Sequence, residues 1–308
     1  MKDFIILPDS SCDISKEAMT DVGMTEYIPG HVNYDGVELF TMLEWDSFTR
    51  EEYYKTLSNK KTKVTTAPPS PAEYEKIFEH YAEQDIGVIN ICLSSKISST
   101  LNFAKNAAST VIEKYPDAKI YCFDSYRMSG AIGLLTYYAH KLKNEGKGFE
   151  EVIEWLEENK TRVHQMGPID DLIFVARRGR ISMGKAIMGG FAGVKPMGDC
   201  NAEGYTTVLT KVKGIGKALE LTAQYVKETA TDIKDQYLFI VHSDRELYAN
   251  TLRDKLMELD PKKIYVSDVY PASGANIGPG MIAVYYLGER IAEDMAAEKE
   301  IMNKLVGK

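Results

Sequence analysis

Residues Ile86 to Leu93 read IGVINICL, an almost unbroken apolar run that leads directly into the hydroxyl-rich SSKISST and then into a stretch of helical spacing. A strand that is apolar on both faces needs cover on both faces, which is the condition of an inner strand in a parallel sheet flanked by helices. Parallel strands need long crossovers, and the chain supplies them. Asp3 to Leu7 and Lys119 to Phe123 are further short apolar runs, ended by Pro8 and by Asp124 and Ser125, while Ala72 to Glu83, Ser98 to about Lys114 and Ser129 to Asn144 carry helical spacing. This alternation predicts a doubly wound, mostly parallel α/β domain, closed by a helix from Phe149 to about Arg162. A second strand is expected around Tyr27 to Tyr34, followed by a helix holding Trp45, Phe48, Tyr53, Tyr54 and Leu57. The stretch TTAPPSP, Thr65 to Pro71, reads as a loop, because its three prolines fit neither a helix nor a central strand.

Beyond Gly167 the pattern changes. Asp171 to Ala176 reads as a strand, ARRGRISMGKA as a basic loop leading to a helix, and Phe191 to Pro196 with Tyr205 to Val212 as a strand pair about the turn Gly198 to Gly204. Helices at Gly216 to Thr229 and Glu246 to Leu259 then alternate with strands at Tyr237 to His242, Lys263 to Val269 and Met281 to Tyr286. The 308 residues are therefore expected to form two α/β domains, 1–165 and 166–308.

A net charge of -8 gives no basic field for nucleic acid or an anionic membrane surface. The N-terminal apolar run, Phe4 to Leu7, is too short for a signal peptide, and no run approaches transmembrane length, so a cytoplasmic location is expected. Cys12, Cys92, Cys122 and Cys200 are scattered without metal-ligand spacing and read as reduced, inert thiols, with no metal and no cofactor implied.

Ligands of open parallel sheets bind beyond the carboxyl ends of the strands. Three loops of the first domain fit that place: PDSSCD with Ser10, LSSKISST, and FDSYRMSGAIG with Ser125. A helix opened by Ser98 would offer unpaired N–H groups to a carboxylate or phosphate, with Ser95, Ser98, Ser99 and Thr100 adding neutral donors. Ser98 as a plain helix cap is the commoner meaning of such a residue, and capping uses the same N–H groups. A nucleophilic serine would need a positioned base. Of the histidines, His80 and His140 fall within helices, His31, His164 and His242 lie near element ends, and no hydrolase, Walker or dinucleotide signature accompanies them. Arg177, Arg178 and Arg180 form a basic cluster that is either a solvated turn or a seat for an anion or an acidic partner. SGANIGPGM, Ser273 to Met281, is a glycine-rich loop that either meets a ligand closely or makes an irregular turn.

In order along the chain stand DSS at Asp9 to Ser11, TAPPSP at Thr66 to Pro71, SSKISST at Ser94 to Thr100 and DSYRMSGAIG at Asp124 to Gly133. They are followed by GRIS at Gly179 to Ser182, KP at Lys195 and Pro196, and GANIGPG at Gly274 to Gly280. The set resembles the DegV family of bacterial fatty-acid-binding proteins. The resemblance implies a two-domain protein that is not an enzyme. It would bury a long-chain fatty acid, hold the carboxylate at the domain interface and present it to a separate fatty acid kinase in bacterial phospholipid metabolism. Thr66 and Ser98 would hydrogen-bond the carboxylate, Ser95 would lie close behind, and Arg180 would act near the head group or in docking the kinase. The family's histidine in the last motif is Asn276 here, which keeps a donor but no charge, and an expected arginine is Lys213, which loses the bidentate fork. Further departures are Pro68, Arg178 and Ser99.

Two other readings stand beside this one: a serine hydrolase or phosphoryl-transfer enzyme built on the Ser94 to Thr100 loop and RRGR, and a phosphosugar-binding domain. Turnover that vanishes in Ser98→Ala separates the first from a carrier, and stabilisation by phosphosugars but not lipids separates the second.

Overall fold

The computed structural model describes residues 3–59, 63–181 and 193–307. Ser182 of the GRIS motif, the helix expected after the arginine loop and the start of the strand expected at Phe191 lie outside the described residues. From the N-terminus, β1 (Phe4–Pro8) passes through a 3₁₀ turn (Ser10–Cys12) into α1 (Lys16–Val22), then a hairpin of β2 (His31–Tyr34) and β3 (Val37–Phe40). There follow α2 (Arg50–Ser58), β4 (Val64–Ala67), α3 (Pro71–Ala82), β5 (Gly87–Cys92), α4 (Thr100–Lys114), β6 (Ile120–Asp124), α5 (Gly130–Asn144) and α6 (Phe149–Asn159). Next come β7 (Val163–Met166), α7 (Leu172–Arg177), the hairpin β8 (Val194–Cys200) and β9 (Thr206–Lys213), and α8 (Ile215–Thr229). The chain ends with β10 (Tyr237–His242), α9 (Glu246–Met257), β11 (Lys263–Asp268), α10 (Pro271–Ile277), β12 (Ile282–Leu287) and α11 (Ala296–Val306).

The strands β1, β5 and β6 form a parallel sheet in the order β1-β5-β6, with Ile6 opposite Ile89 and Ile91 opposite Phe123. Every residue of β5 is buried, as its nearly unbroken apolar run requires, and the one polar side chain, Asn90, donates to the Leu7 carbonyl at 2.8 Å. Helices α3 and α4 cover one face, where Tyr74, Phe78, Ala104 and Val111 pack on Val88 and Cys92, and α5 and α6 cover the other. A mixed sheet in the order β11-β10-β12-β7 forms the second α/β domain, with β10 and β11 parallel and β12 antiparallel to both β10 and β7. Strand β7, which spans the expected boundary at residue 165, pairs with β12 of this sheet.

Local chemistry explains where elements start. Ser70 caps α3 and forms a capping box with Glu73, while Pro71 occupies the first helical turn, where its missing N–H costs nothing. Four expectations need correction. Thr65 to Ala67 are not loop but belong to β4, which pairs with β2 so that Thr66 faces Val32; the prolines only end the strand, since proline has no N–H for a ladder. Strand β2 spans only His31–Tyr34 of the strand expected around Tyr27 to Tyr34, and it lies in this separate antiparallel sheet of β3, β2 and β4. Asp171 to Ala176 is not a strand but the cap and body of helix α7, because the Asp171 side chain accepts from Phe174 N at 3.0 Å and fixes a helix start. Finally, Ser273 to Ile277, expected in an irregular loop, form most of α10, led by Pro271 and ended by Gly278 at φ 75°.

Helix α5 is the wedge between the two sheets and is buried along most of its length. The SGAIG motif lets it fit: a Cβ on Gly130 would sit 2.4 Å from Val241 Cγ2, and one on Gly133 would sit 2.6 Å from the Cys12 carbonyl oxygen. Gly133→Ala is therefore expected to lower stability by about 1–3 kcal/mol through this overlap with backbone, although alanine is the better helix former by about 1 kcal/mol. Urea unfolding of the two proteins checks the sign, and an alanine variant as stable as the parent would show that α5 can move off the turn.

Candidate functional site

The carboxyl ends of β1 and β5, the end of β4 and the start of α5 meet α10 and the second sheet around a cavity of about 210 Å³. Its lining divides by chemistry. Ser10, Thr41, Thr66, Ser98, Thr100, Ser129, Ser273 and Asn276 supply polar groups, while Leu172, Val175, Ile181, Met197, Val208 and Met281 supply apolar wall. Helix α10 turns one face to the cavity, placing Ala272, Ser273, Asn276 and Ile277 there.

Counting hydroxyl protons shows what the polar side can bind. Asn276 Nδ2 donates to Thr66 Oγ1 at 3.0 Å and to the Ala272 carbonyl at 3.2 Å. The carbonyl can only accept, so it fixes which amide atom faces Thr66. Thr66 therefore accepts from Asn276, and among the described residues no group takes its own proton. Ser98 Oγ lies 2.6 Å from Thr100 Oγ1 and accepts from Thr100 N at 3.2 Å; one proton satisfies the hydroxyl pair and one is left over. Ser10 Oγ and Thr41 Oγ1 repeat the arrangement at 2.6 Å, with Gly30 N donating to Ser10 at 3.2 Å. Three neutral units each hold one unspent O–H donor. Such a set suits an anion's oxygens without supplying a counter-charge.

Two buried acids stand at this side. Asp9 lines the cavity; its Oδ2 accepts from Leu93 N at 2.7 Å, and its Oδ1 accepts from Ser11 N at 2.9 Å and from the Ser11 hydroxyl. Burial raises its pKa against these donors. Asp13 lies behind the cavity, taking Ser129 Oγ at 2.6 Å and Tyr270 N at 2.9 Å, and burial pushes its carboxyl from 3.8 up to about 7. It thereby ties the 3₁₀ turn, the start of α5 and the start of α10 together.

Of the sequence candidates, Ser10, Thr66, Ser98, Arg180 and Asn276 line this cavity. Arg180 is at its exposed rim, where Nη1 donates to the Arg178 carbonyl. Ser95, Ser125 and Lys213 do not line it. Ser95 N donates to Asp124 Oδ1 at 3.2 Å, which links two loops, and buried Ser125 accepts from Arg127 N at 3.1 Å and closes the turn after β6. Lys213 is exposed at the end of β9, opposite Val194. Nor does Ser98 open its helix: Ser99 holds the cap position, without a side-chain bond, and Ser98 reaches the Thr100 N–H from one place further back. Thr41, Ser129, Ser273, Asp13 and Gln165 escaped the sequence reading. Ser129 and Ser273 sat inside quoted motifs, but Thr41 and Gln165 carry no local signal.

Among the described residues no helix is long and apolar enough to cross a membrane, and no cluster of His, Cys, Asp and Glu could hold a metal ion. A family model described as an uncharacterised protein of the DegV family matches residues 3–289. A DegV domain-containing protein of Clostridium perfringens is 31% identical over 290 residues, which cover 94% of this chain and 99% of that one. DegV of Bacillus subtilis, described as a fatty acid binding protein, shares the fold with a TM-score of 0.79 at 25% identity, over 94% of this chain and 100% of the other. A fatty acid kinase B3 protein of Streptococcus pneumoniae, solved loaded with linoleic acid, gives 0.79 at 18% identity, over 93% and 100%.

Proposed function

This chain belongs to the DegV family, and from that premise and the cavity's chemistry we propose that it is a cytoplasmic carrier, not an enzyme, that binds a long-chain fatty acid and presents it to a separate kinase. The Thr66, Ser98 and Ser10 hydroxyls receive the carboxylate, and the apolar wall from α7, the β8–β9 hairpin and the second sheet takes the chain. The observation that carries this is the pairing of unspent neutral donors with apolar wall in one cavity. Buried methylenes supply affinity at roughly 0.8 kcal/mol each, while the hydroxyls fix the head group without the tight grip of a bidentate arginine. A carboxylate held so stays open to a phosphorylating partner.

The family supports the ligand class, since the Bacillus subtilis relative is described as binding fatty acid, and the Streptococcus pneumoniae one, with its linoleic acid, belongs by its name to a kinase system. In this reading the exposed Arg180 at the rim and Lys213 on the hairpin make contact with that kinase, and Ser95 and Ser125 shape the loops behind the head group. His31, which also lines the cavity, does not offer Ser98 a free base, because both its ring nitrogens are engaged, by Glu73 at 3.0 Å and by Glu38 at 3.2 Å.

Protein purified mildly, denatured and extracted with organic solvent is expected to release near-stoichiometric fatty acid by mass spectrometry. Ser98→Ala is expected to bind about tenfold to a hundredfold more weakly, the effect of losing one hydrogen bond to a charged group. A wild type that releases no fatty acid and takes none up after delipidation would overturn the proposal.

A further inference from the structure

The second-sheet wall of the cavity is not wholly apolar. Gln165, on β7, stands opposite Tyr285 of β12 in the ladder, and both side chains line the cavity among Gly167, Met197 and Ala283. Its backbone N–H is occupied by Asp199 Oδ1 at 2.8 Å. Gln165 as a whole is only 9% exposed, and its amide oxygen is fully buried without a hydrogen-bond partner among the described residues. Thr206, on the hairpin wall, adds a hydroxyl whose side-chain partners are sulfurs, Met128 Sδ at 3.8 Å and Cys200 Sγ at 4.0 Å.

A buried amide oxygen without a partner is destabilising, and a plain hydrocarbon chain filling the cavity would leave it so. A cavity shaped for alkyl chains alone is better served by leucine or methionine at this position. We propose that Gln165 reads a hydroxyl group on the acyl chain, so that the preferred ligand class of this protein is a hydroxy fatty acid. This rests on the fatty acid reading above and deepens it. A hydroxyl both donates and accepts, so it satisfies the amide whichever way the amide is turned, and Thr206 stands ready as a second polar neighbour on the same cavity.

Delipidated wild type is titrated with stearate and with a panel of stearates hydroxylated at successive carbons, and so is Gln165→Leu. At least one hydroxylated isomer is expected to bind the wild type about tenfold more tightly than stearate, the discrimination that one buried hydrogen bond supplies. In Gln165→Leu the order is expected to reverse, with stearate gaining. Equal binding of stearate and every isomer by the wild type overturns the inference while leaving the carrier reading intact. Failure of all of them to bind overturns both. The wild-type comparison alone decides the matter should the variant not fold.

Discussion

Asn276→Asp is expected to weaken fatty acid binding at least about a hundredfold at pH 8, although it changes one amide nitrogen to oxygen. Asn276 now donates to Thr66 and so leaves the Thr66 proton for the cavity. A carboxylate in its place would accept that proton and turn the donor away from the ligand. Loss of a hydrogen bond to a charged group costs roughly 1.5–3 kcal/mol. Two like charges about 5 Å apart at an effective dielectric near 20 add about 3 kcal/mol. Both effects vanish when the new carboxyl is protonated, so binding should recover as the pH falls through the carboxylate range. Asn276→His, which restores the residue type of the family motif, should bind as the parent does. Calorimetry on delipidated proteins, with thermal melts to check folding, measures all three; undiminished affinity in Asn276→Asp at pH 8 would remove Thr66 from the carboxylate seat.

The sequence reading reached the parallel sheet because burial on both faces leaves a nearly unbroken apolar run, as in β5, that few other structures need. It failed where a local signal had two meanings. LIFVA is equally a strand or a short helix, and only the Asp171 cap decides between them. In TTAPPSP the prolines were visible, but the ladder to β2 that draws Thr66 into a strand joins residues far apart. The site shows the same division. Ser10 and Ser98 announce themselves in loops after strands, and Thr66 stands in the proline motif that the family resemblance singles out. The relation that gives Thr66 its role, a bond from a residue 210 positions away, leaves no trace in local composition. The hydroxyl pair of Ser10 and Thr41 spans 31 positions and is equally silent. Gln165 is the extreme case: in the four-residue strand VHQM it stands beside a second polar residue, His164, and nothing local says which of the two faces the cavity.

Asp13 should make this protein lose stability as the pH rises from about 4 to 7, the reverse of the usual carboxylate. It is fully buried and held in a left-handed conformation at φ 45°. Burial dominates over the Ser129, Tyr270 and Ser273 donors, and nearby Asp9 adds repulsion, so the folded-state pKa stands at about 7 against an ordinary 3.8. Below 3.8 both folded and unfolded chains hold the proton, and the group's contribution is fully present. Between the two values the unfolded chain has released it and the folded chain has not, so stability falls until the folded pKa is passed. About three units correspond to roughly 4 kcal/mol. Asp13→Asn should remove this slope without removing the clamp, since an amide can accept from Tyr270 N with its oxygen and donate to Ser129 Oγ with its nitrogen. Urea unfolding from pH 4 to 8 is expected to show a declining wild type and a flatter variant that is the more stable of the two at pH 8. Parallel slopes would place the proton elsewhere, and a variant unstable at every pH would mean that the clamp needs the charge. The first outcome would also bear on the site, because Ser129 spends its proton on an ionised Asp13 and is free to turn it toward the cavity only when Asp13 is neutral.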